Sequence, residues 1–214
     1  YLVYLSLPDS LGHKFGPESK IFRDELRTFD KLVGSFVTEV KLRSRSPQFI
    51  FLGDHGMSTI KDTFDAEDEV RRICMQMRLQ IHKDVHLFLD STLVRIWART
   101  KRIKRMVYDK ILSDNIFSEN GRLITREIAE EHNIPWGDRR YGDIMWWVNE
   151  GILIHPDYFH SRGSEKYKGM HGYDPNSNDS KGTCIIYGES ISHSIHEEIE
   201  LSSVFDLLKR LLKI

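Results

Sequence analysis

Two short apolar runs, each ending in a carboxylate beside an imidazole, constrain this chain more than any other feature. The first reads Tyr-Leu-Val-Tyr-Leu-Ser-Leu-Pro-Asp9-Ser-Leu-Gly12-His13 and the second Gln48-Phe-Ile-Phe-Leu-Gly53-Asp54-His55-Gly56; a glycine-flanked imidazole follows far downstream at His171-Gly172. Residues 1–7 are nearly all apolar, the pattern of a strand covered on both faces of a parallel sheet. A turn containing Gly12 and Gly16 follows. Pro17 then suits the first turn of a helix, in which Phe22, Leu26, Phe29, Val33, Phe36 and Val40 recur at steps of four and three to give one apolar face. That helix returns the chain to residues 48–52, a second short buried strand. Strand, helix and strand joined by a right-handed crossover is the building unit of an α/β sheet.

The remainder predicts a helix over 67–79, a strand pair over 85–89 and 93–98, a helix over 103–112 and a short helix over 125–131 begun by Thr125-x-Glu127. A strand is expected at 143–148 and another at 183–187, with a closing helix from Ser203 whose buried face is Val204, Leu207, Leu208, Leu211 and Leu212. Residues 161–181 are rich in Gly, Ser, Asn, Asp and Lys and read as a long loop, which is uncommon in a compact domain unless functional or mobile. With 214 residues, 40% hydrophobic and 29% charged, the chain is long enough for one substantial core. The expectation is a single α/β domain over 1–214, with residues 82–142 as a smaller irregular α+β insertion.

Net charge is −1, so no global field favours nucleic acid or an anionic membrane, and neither is an expected partner. Cys74 and Cys184 are the only cysteines and lack Cys-x-x-Cys spacing. That argues against a disulfide framework or a thiolate metal site and favours a reducing, cytoplasmic compartment. No run reaches the roughly 18 apolar residues of a membrane span.

In an open parallel sheet the loops at the carboxyl ends of strands gather at one edge, so Asp9, His13, Asp54 and His55 can converge although they are distant in sequence. Carboxylate oxygen mixed with imidazole nitrogen suits zinc, with manganese or iron as alternatives. Gly12, Gly53, Gly56 and Gly172 would permit tight backbone around such ligands. Asp54 and His55 can face one ion only if the strand before them has already ended.

Pro8-Asp9-Ser-Leu-Gly12-His13-Lys-Phe-Gly16-Pro17, then Gly53-Asp54-His55-Gly56-Met57, then His171-Gly172-Tyr173-Asp174, in this order, resemble the type I phosphodiesterase and nucleotide pyrophosphatase family of the alkaline phosphatase superfamily. The resemblance implies an alkaline-phosphatase-like α/β fold, incomplete here on its N-terminal side. It implies two divalent metal ions, with Asp9, His13 and His171 on one and Asp54 and His55 contributing to the other. The Thr or Ser nucleophile, and a further aspartate, are expected upstream of Tyr1, so the chain alone is expected to be inactive. The implied substrate is a small phosphate ester or nucleotide-like molecule, hydrolysed at a phosphodiester or pyrophosphate bond. A phosphomutase or phosphomonoesterase of the same superfamily, or a non-catalytic metal- or partner-binding module, are the alternatives. Two positions depart from the family pattern. Pro175 separates Asp174 from Asn176, and Gly53 stands where a Ser is common.

Other candidates have plainer explanations. His82 and His86 are four apart, but their surroundings alternate like a strand. His193 and His196, beside Glu197 and Glu198, read as a solvated polar segment. His155 and His160 lie on the approach to the long loop. The basic run Arg99 to Arg105 lacks interleaved aromatic residues and reads as a solvated helix face. Trp146 and Trp147 are adjacent in an expected strand and therefore face opposite ways, placing at least one in the core.

Overall fold

The computed structural model describes residues 2–188 and 197–212. The chain forms two compact units, one from the residues up to 26 together with 57–181, the other from 27–56 together with the described residues from 182 onward. In chain order the elements are α1 (Leu7–Phe15), α2 (Lys20–Arg43), β1 (Gln48–Leu52), β2 (Ser58–Thr59), β3 (Asp62–Phe64), α3 (Ala66–Gln76), β4 (Val85–Leu89), β5 (Leu93–Ala98) and α4 (Lys101–Leu112). There follow α5 (Asn115–Asn120), β6 (Gly121–Leu123), α6 (Arg126–Glu131), β7 (Ile144–Val148), β8 (Ile152–Ile154), β9 (Gly169–Met170), β10 (Cys184–Gly188) and α7 (Val204–Leu212). The architecture is α/β with mixed pairing: β3 and β8 run parallel, while β1–β10, β2–β9 and the four-stranded sheet β4-β5-β7-β6 are antiparallel. No helix among the described residues is long and apolar enough to cross a membrane.

The strand expected over 1–7 is not formed. Residues 2–6 carry no regular structure and Leu2, Val3, Tyr4 and Leu5 are exposed, while Tyr1 lies outside the described residues. The chain enters α1 instead. Pro8 sits in the first turn, where its missing N–H costs no hydrogen bond, Asp9 lies near the positive end of the helix dipole, and Gly16 stops the helix with φ of 80°. The expected turn at Gly12 therefore falls inside a helix. Without the first strand the strand-helix-strand crossover is absent as well, and β1 pairs antiparallel with β10 in register Phe49 to Tyr187.

The first unit is built on the four-stranded sheet. Along β5 the buried residues alternate as Val94, Ile96 and Ala98, the period of a strand with one covered face. Every residue of β7 is buried, and its two faces belong to two clusters: Ile144, Trp146 and Val148 join the main core, whereas Met145 and Trp147 pack with Ile124 and Ala129. Trp146 lies 5.2 Å from Phe64 and 5.3 Å from Phe117, ring centre to ring centre. α3 presents Ala66, Val70, Ile73 and Cys74 to this core, a spacing that puts all four on one helical face; Asp65 caps it by accepting from Asp68 N–H at 3.0 Å. Thr100 and Thr125 cap α4 and α6 in the same way.

In the second unit α2 follows the expected periodicity. Phe29, Val33 and Val40 are half-buried, although Phe36 is 52% exposed. Phe49 is the buried residue of β1 and its ring lies 6.5 Å from Phe36 and 6.1 Å from Tyr187. Val204 is the buried residue of α7, while the side chain of Leu212 lies outside what is described.

Asp114, buried as the cap of α5, accepts from the Arg72 guanidinium on both oxygens at 2.9 Å and from the Ile116 N–H at 3.2 Å. Burial opposes the charge on Asp114, but the Arg72 bonds and those from the α5 N-terminus outweigh it, holding the carboxyl below its ordinary range. A depressed carboxyl stabilises the fold at pH above the ordinary aspartate range and loses that contribution as pH falls through the lowered folded value. Asp114→Asn should therefore reduce stability at neutral pH and flatten the acid limb of the unfolding midpoint plotted against pH. Trp146→Ala should cost roughly 3–5 kcal/mol in denaturant unfolding, because the cavity opens between two aromatic rings that cannot both close it.

Candidate metal centre

α1 places Asp9 and His13 four residues apart, hence one above the other on the same helical face. His171 reaches the same point from the loop after β9. The Oδ1 of Asp9 lies 3.3 Å from His13 Nε2 and 3.6 Å from His171 Nε2. One ligand atom from each of the three lies within 4.8 Å of the others, and these residues form a group able to hold a metal ion.

The orientation of His13 follows from the contacts. Its Nδ1–H donates to the Gly169 carbonyl at 2.8 Å, which turns Nε2 toward Asp9 and, in the neutral ring, leaves the lone pair on that side. Asp9 Oδ1 is closed to solvent and has no hydrogen-bond donor. Leaving a buried carboxylate oxygen unsatisfied is costly, and a cation shared with the two imidazole nitrogens that face it would remove that cost. Two imidazoles and a carboxylate fit a divalent ion of the zinc type.

The backbone permits this meeting at two glycines. A Cβ at Gly169 would come within 2.6 Å of Gly12 O, so only glycine lets β9 lie against α1. Gly172 has φ of 88°, in the region that favours glycine, and its carbonyl accepts from Thr92 Oγ1 at 3.0 Å and Trp147 Nε1 at 3.1 Å. A cleft of about 250 Å³ opens beside the group, lined by His13, Asp90, Ser91, Thr92, Tyr167 and His171 among others. The Tyr167 ring lies 4.7 Å from that of His13, tilted against it, and 4.7 Å from that of His160, edge to face. A larger cavity of about 420 Å³ is lined by Glu18, Glu150 and Asp179 and contains no imidazole.

Asp54 and His55 lie in the second unit and form a pair of their own. β1 ends at Leu52, so both follow the strand, and Asp54 Oδ1 is 3.6 Å from His55 Nε2 while His55 Nδ1 bonds the Gly56 carbonyl at 2.9 Å. His82 and His86 are exposed, at the start of and within the β4 hairpin. His155 is buried with Nε2 3.3 Å from Ser164 Oγ, and His160 Nδ1 bonds Asp157 at 2.9 Å. His193 and His196 lie outside the described residues. Arg99, Lys101, Arg102 and Arg105 are exposed, on or beside α4, whose buried face is Val107 and Ile111.

Beyond the ligands, Asp174 is held by Arg122, and Tyr173 donates from its hydroxyl to Ile152 O at 2.9 Å. Burial pushes the Tyr173 phenol above its ordinary range, so it remains a donor. Burial also opposes the charge on Asp174, but the Asn176 N–H and the Arg122 guanidinium outweigh it and keep that carboxyl below its ordinary range. The departure at Pro175 leaves Asn176 bonded back to Asp174, at 2.9 Å. Thr92, Trp147 and Tyr167 were not apparent in the sequence as neighbours of the centre, since nothing local to them distinguishes a contact made across the fold.

A family model for type I phosphodiesterase / nucleotide pyrophosphatase matches residues 1–174. The chain belongs to this family. Family membership places it in the alkaline phosphatase superfamily. Mouse ectonucleotide pyrophosphatase/phosphodiesterase family member 7 is 40% identical over 60 residues, 27% of this chain and 14% of that protein, and the rat counterpart is 38% identical over the same shares. Among solved structures, human ectonucleotide pyrophosphatase/phosphodiesterase 5 superposes with a TM-score of 0.73 at 21% identity, and the murine protein with 0.74 at 19%. An inactive form of the murine protein in complex with AMP gives 0.74 at 19%. Each superposition covers 97% of this chain and 52% of the other, so the chain spans about half the length of these family structures and shares their alkaline-phosphatase-like α/β fold.

If Asp9, His13 and His171 share an ion, Asp9→Asn and His171→Ala should each lower bound zinc by one equivalent per chain after dialysis, read by elemental analysis. Unchanged stoichiometry in both would remove them as ligands.

Proposed function

We propose that the complete protein hydrolyses phosphodiester or nucleotide pyrophosphate bonds through a two-zinc site to which this chain contributes most of the metal ligands. The observation that carries the reading is the Asp9 Oδ1 atom, buried without a donor and faced by two imidazole nitrogens. Asp9, His13 and His171 would hold one ion, and Asp54 and His55 would contribute to the second. When bound, such ions supply positive charge for the phosphoryl oxygens and lower the pKa of a coordinated hydroxyl or water.

The chain's own residues do the positioning. His13 keeps its Nε2 lone pair available because Gly169 holds the Nδ1 proton, and α1 sets the Asp9–His13 spacing. Tyr167 and Thr92 shape the cleft next to the ligands, where part of the substrate would lie. The AMP complex of the murine relative supports a nucleotide-like substrate for this chain too. None of these 214 residues is proposed as the nucleophile, which would come from another part of the complete protein.

The complete protein should turn over a chromogenic phosphodiester with zinc present, lose this on chelation and regain it on adding zinc back, while the 214-residue chain alone is nearly inert. Turnover of a phosphomonoester in place of the diester would favour the phosphomonoesterase alternative. No hydrolysis of either ester by the zinc-loaded complete protein would leave a binding module.

A further inference from the structure

The three ligands of the candidate centre are not secured in the same way. Asp9 and His13 share one helix, which fixes their separation. His171 follows the two-residue strand β9, and the next residue, Gly172, has a backbone conformation that most residues avoid. A loop of this composition would have many conformations in isolation, and a ligand displaced by an ångström binds a metal poorly.

Two points of the four-stranded sheet grip this loop. The carbonyl of Gly172 accepts from Thr92 Oγ1, in the β4–β5 turn, at 3.0 Å and from Trp147 Nε1, in β7, at 3.1 Å, so two donors fix its direction. Two residues further on, the Asp174 carboxylate pairs with Arg122 of β6. The three holding residues are themselves tied together: Val148 N–H bonds Thr92 O at 3.1 Å, Arg122 is opposite Trp147 in the β6–β7 register, and its guanidinium lies 5.7 Å from the Trp147 ring. Thr92 is 6% and Trp147 9% exposed, which locks their side chains. A Cβ on Gly172 would approach Thr92 Oγ1 to 3.0 Å, so the grip also excludes a larger residue next to the ligand.

We infer that Thr92 and Trp147 are positioning residues for the metal centre, fixing the loop that carries His171 through the Gly172 carbonyl. The sheet, three of whose four strands fall within the expected insertion, is then part of the ligand scaffold. The inference rests on reading Asp9, His13 and His171 as a metal site. Trp147 acts on that site although it touches none of the three side chains in the contacts described.

Thr92→Val and Trp147→Phe each remove one donor while keeping most of the bulk. Zinc titration of the chain should show a dissociation constant raised about tenfold for each, the scale on which outer partners of metal ligands act. With cobalt(II) in place of zinc, the visible absorption band should shift in both variants, because the ligand angle at His171 changes. Trp146→Phe, on the opposite face of β7, is the control: it should lower the unfolding midpoint but leave zinc affinity and the cobalt band as in the parent chain. Parent-like affinity and an unshifted band in both Thr92→Val and Trp147→Phe would overturn the inference while leaving the metal site intact. Equal zinc affinity in the parent chain and His171→Ala would defeat the metal reading itself, and this inference with it.

Discussion

A carboxylate oxygen shut off from water needs a positive or donating partner, and at Asp9 Oδ1 the described residues supply no hydrogen bond, only the Nε2 atoms of His13 and His171 at 3.3 and 3.6 Å. The surrounding contacts maintain that condition. The Gly169 carbonyl holds the proton of His13 on the far side of the ring, His171 arrives at 3.6 Å from the same oxygen, and β9 presses against α1 at a distance only glycine allows. Each contact is ordinary by itself. Together they gather one carboxylate and two imidazoles into a group able to hold a metal ion.

The geometry also changes how the motif is understood. Asp9 and His13 work as a pair because they lie on a helix, whose four-residue repeat aligns them, and they need no convergence of separate loops. His171 comes from the other extreme, a glycine-rich loop without regular structure, and depends on a buried sheet for its place. The candidate centre thus combines two residues on one rigid helix with a third whose place depends on the sheet.

Much of the fold was legible because it is written in local periodicity. The strand pair Val85–Leu89 and Leu93–Ala98 has the expected boundaries, Lys20–Arg43 follows its apolar spacing, and the helices expected over 67–79 and 103–112 form as Ala66–Gln76 and Lys101–Leu112. The failure at residues 1–7 has a physical cause. A continuous apolar run fits a buried strand, but a strand also needs a neighbour, and Pro8 with Asp9 gives the chain a good helix start instead. The Asp9-x-x-x-His13 spacing fits the helix that forms there. The candidate ligands could be named from their motif. The contacts of Thr92, Trp147 and Tyr167 could not, since each depends on which distant segment the topology sets against it.

The division of labour along β7 has a consequence for how this stretch can vary. Trp146 faces one core and Trp147 the other, with only the peptide between them. Deleting a single residue just before the pair would put Trp147 in the place of Trp146 and withdraw the Gly172 contact, whereas inserting one there would turn Trp146 to the other face and empty the space lined by Phe64 and Phe117. Length changes in this protein should therefore be absorbed at exposed turns such as the one around Gly137, which has open space about its α-carbon, while the Ile144–Val148 segment keeps its residue count.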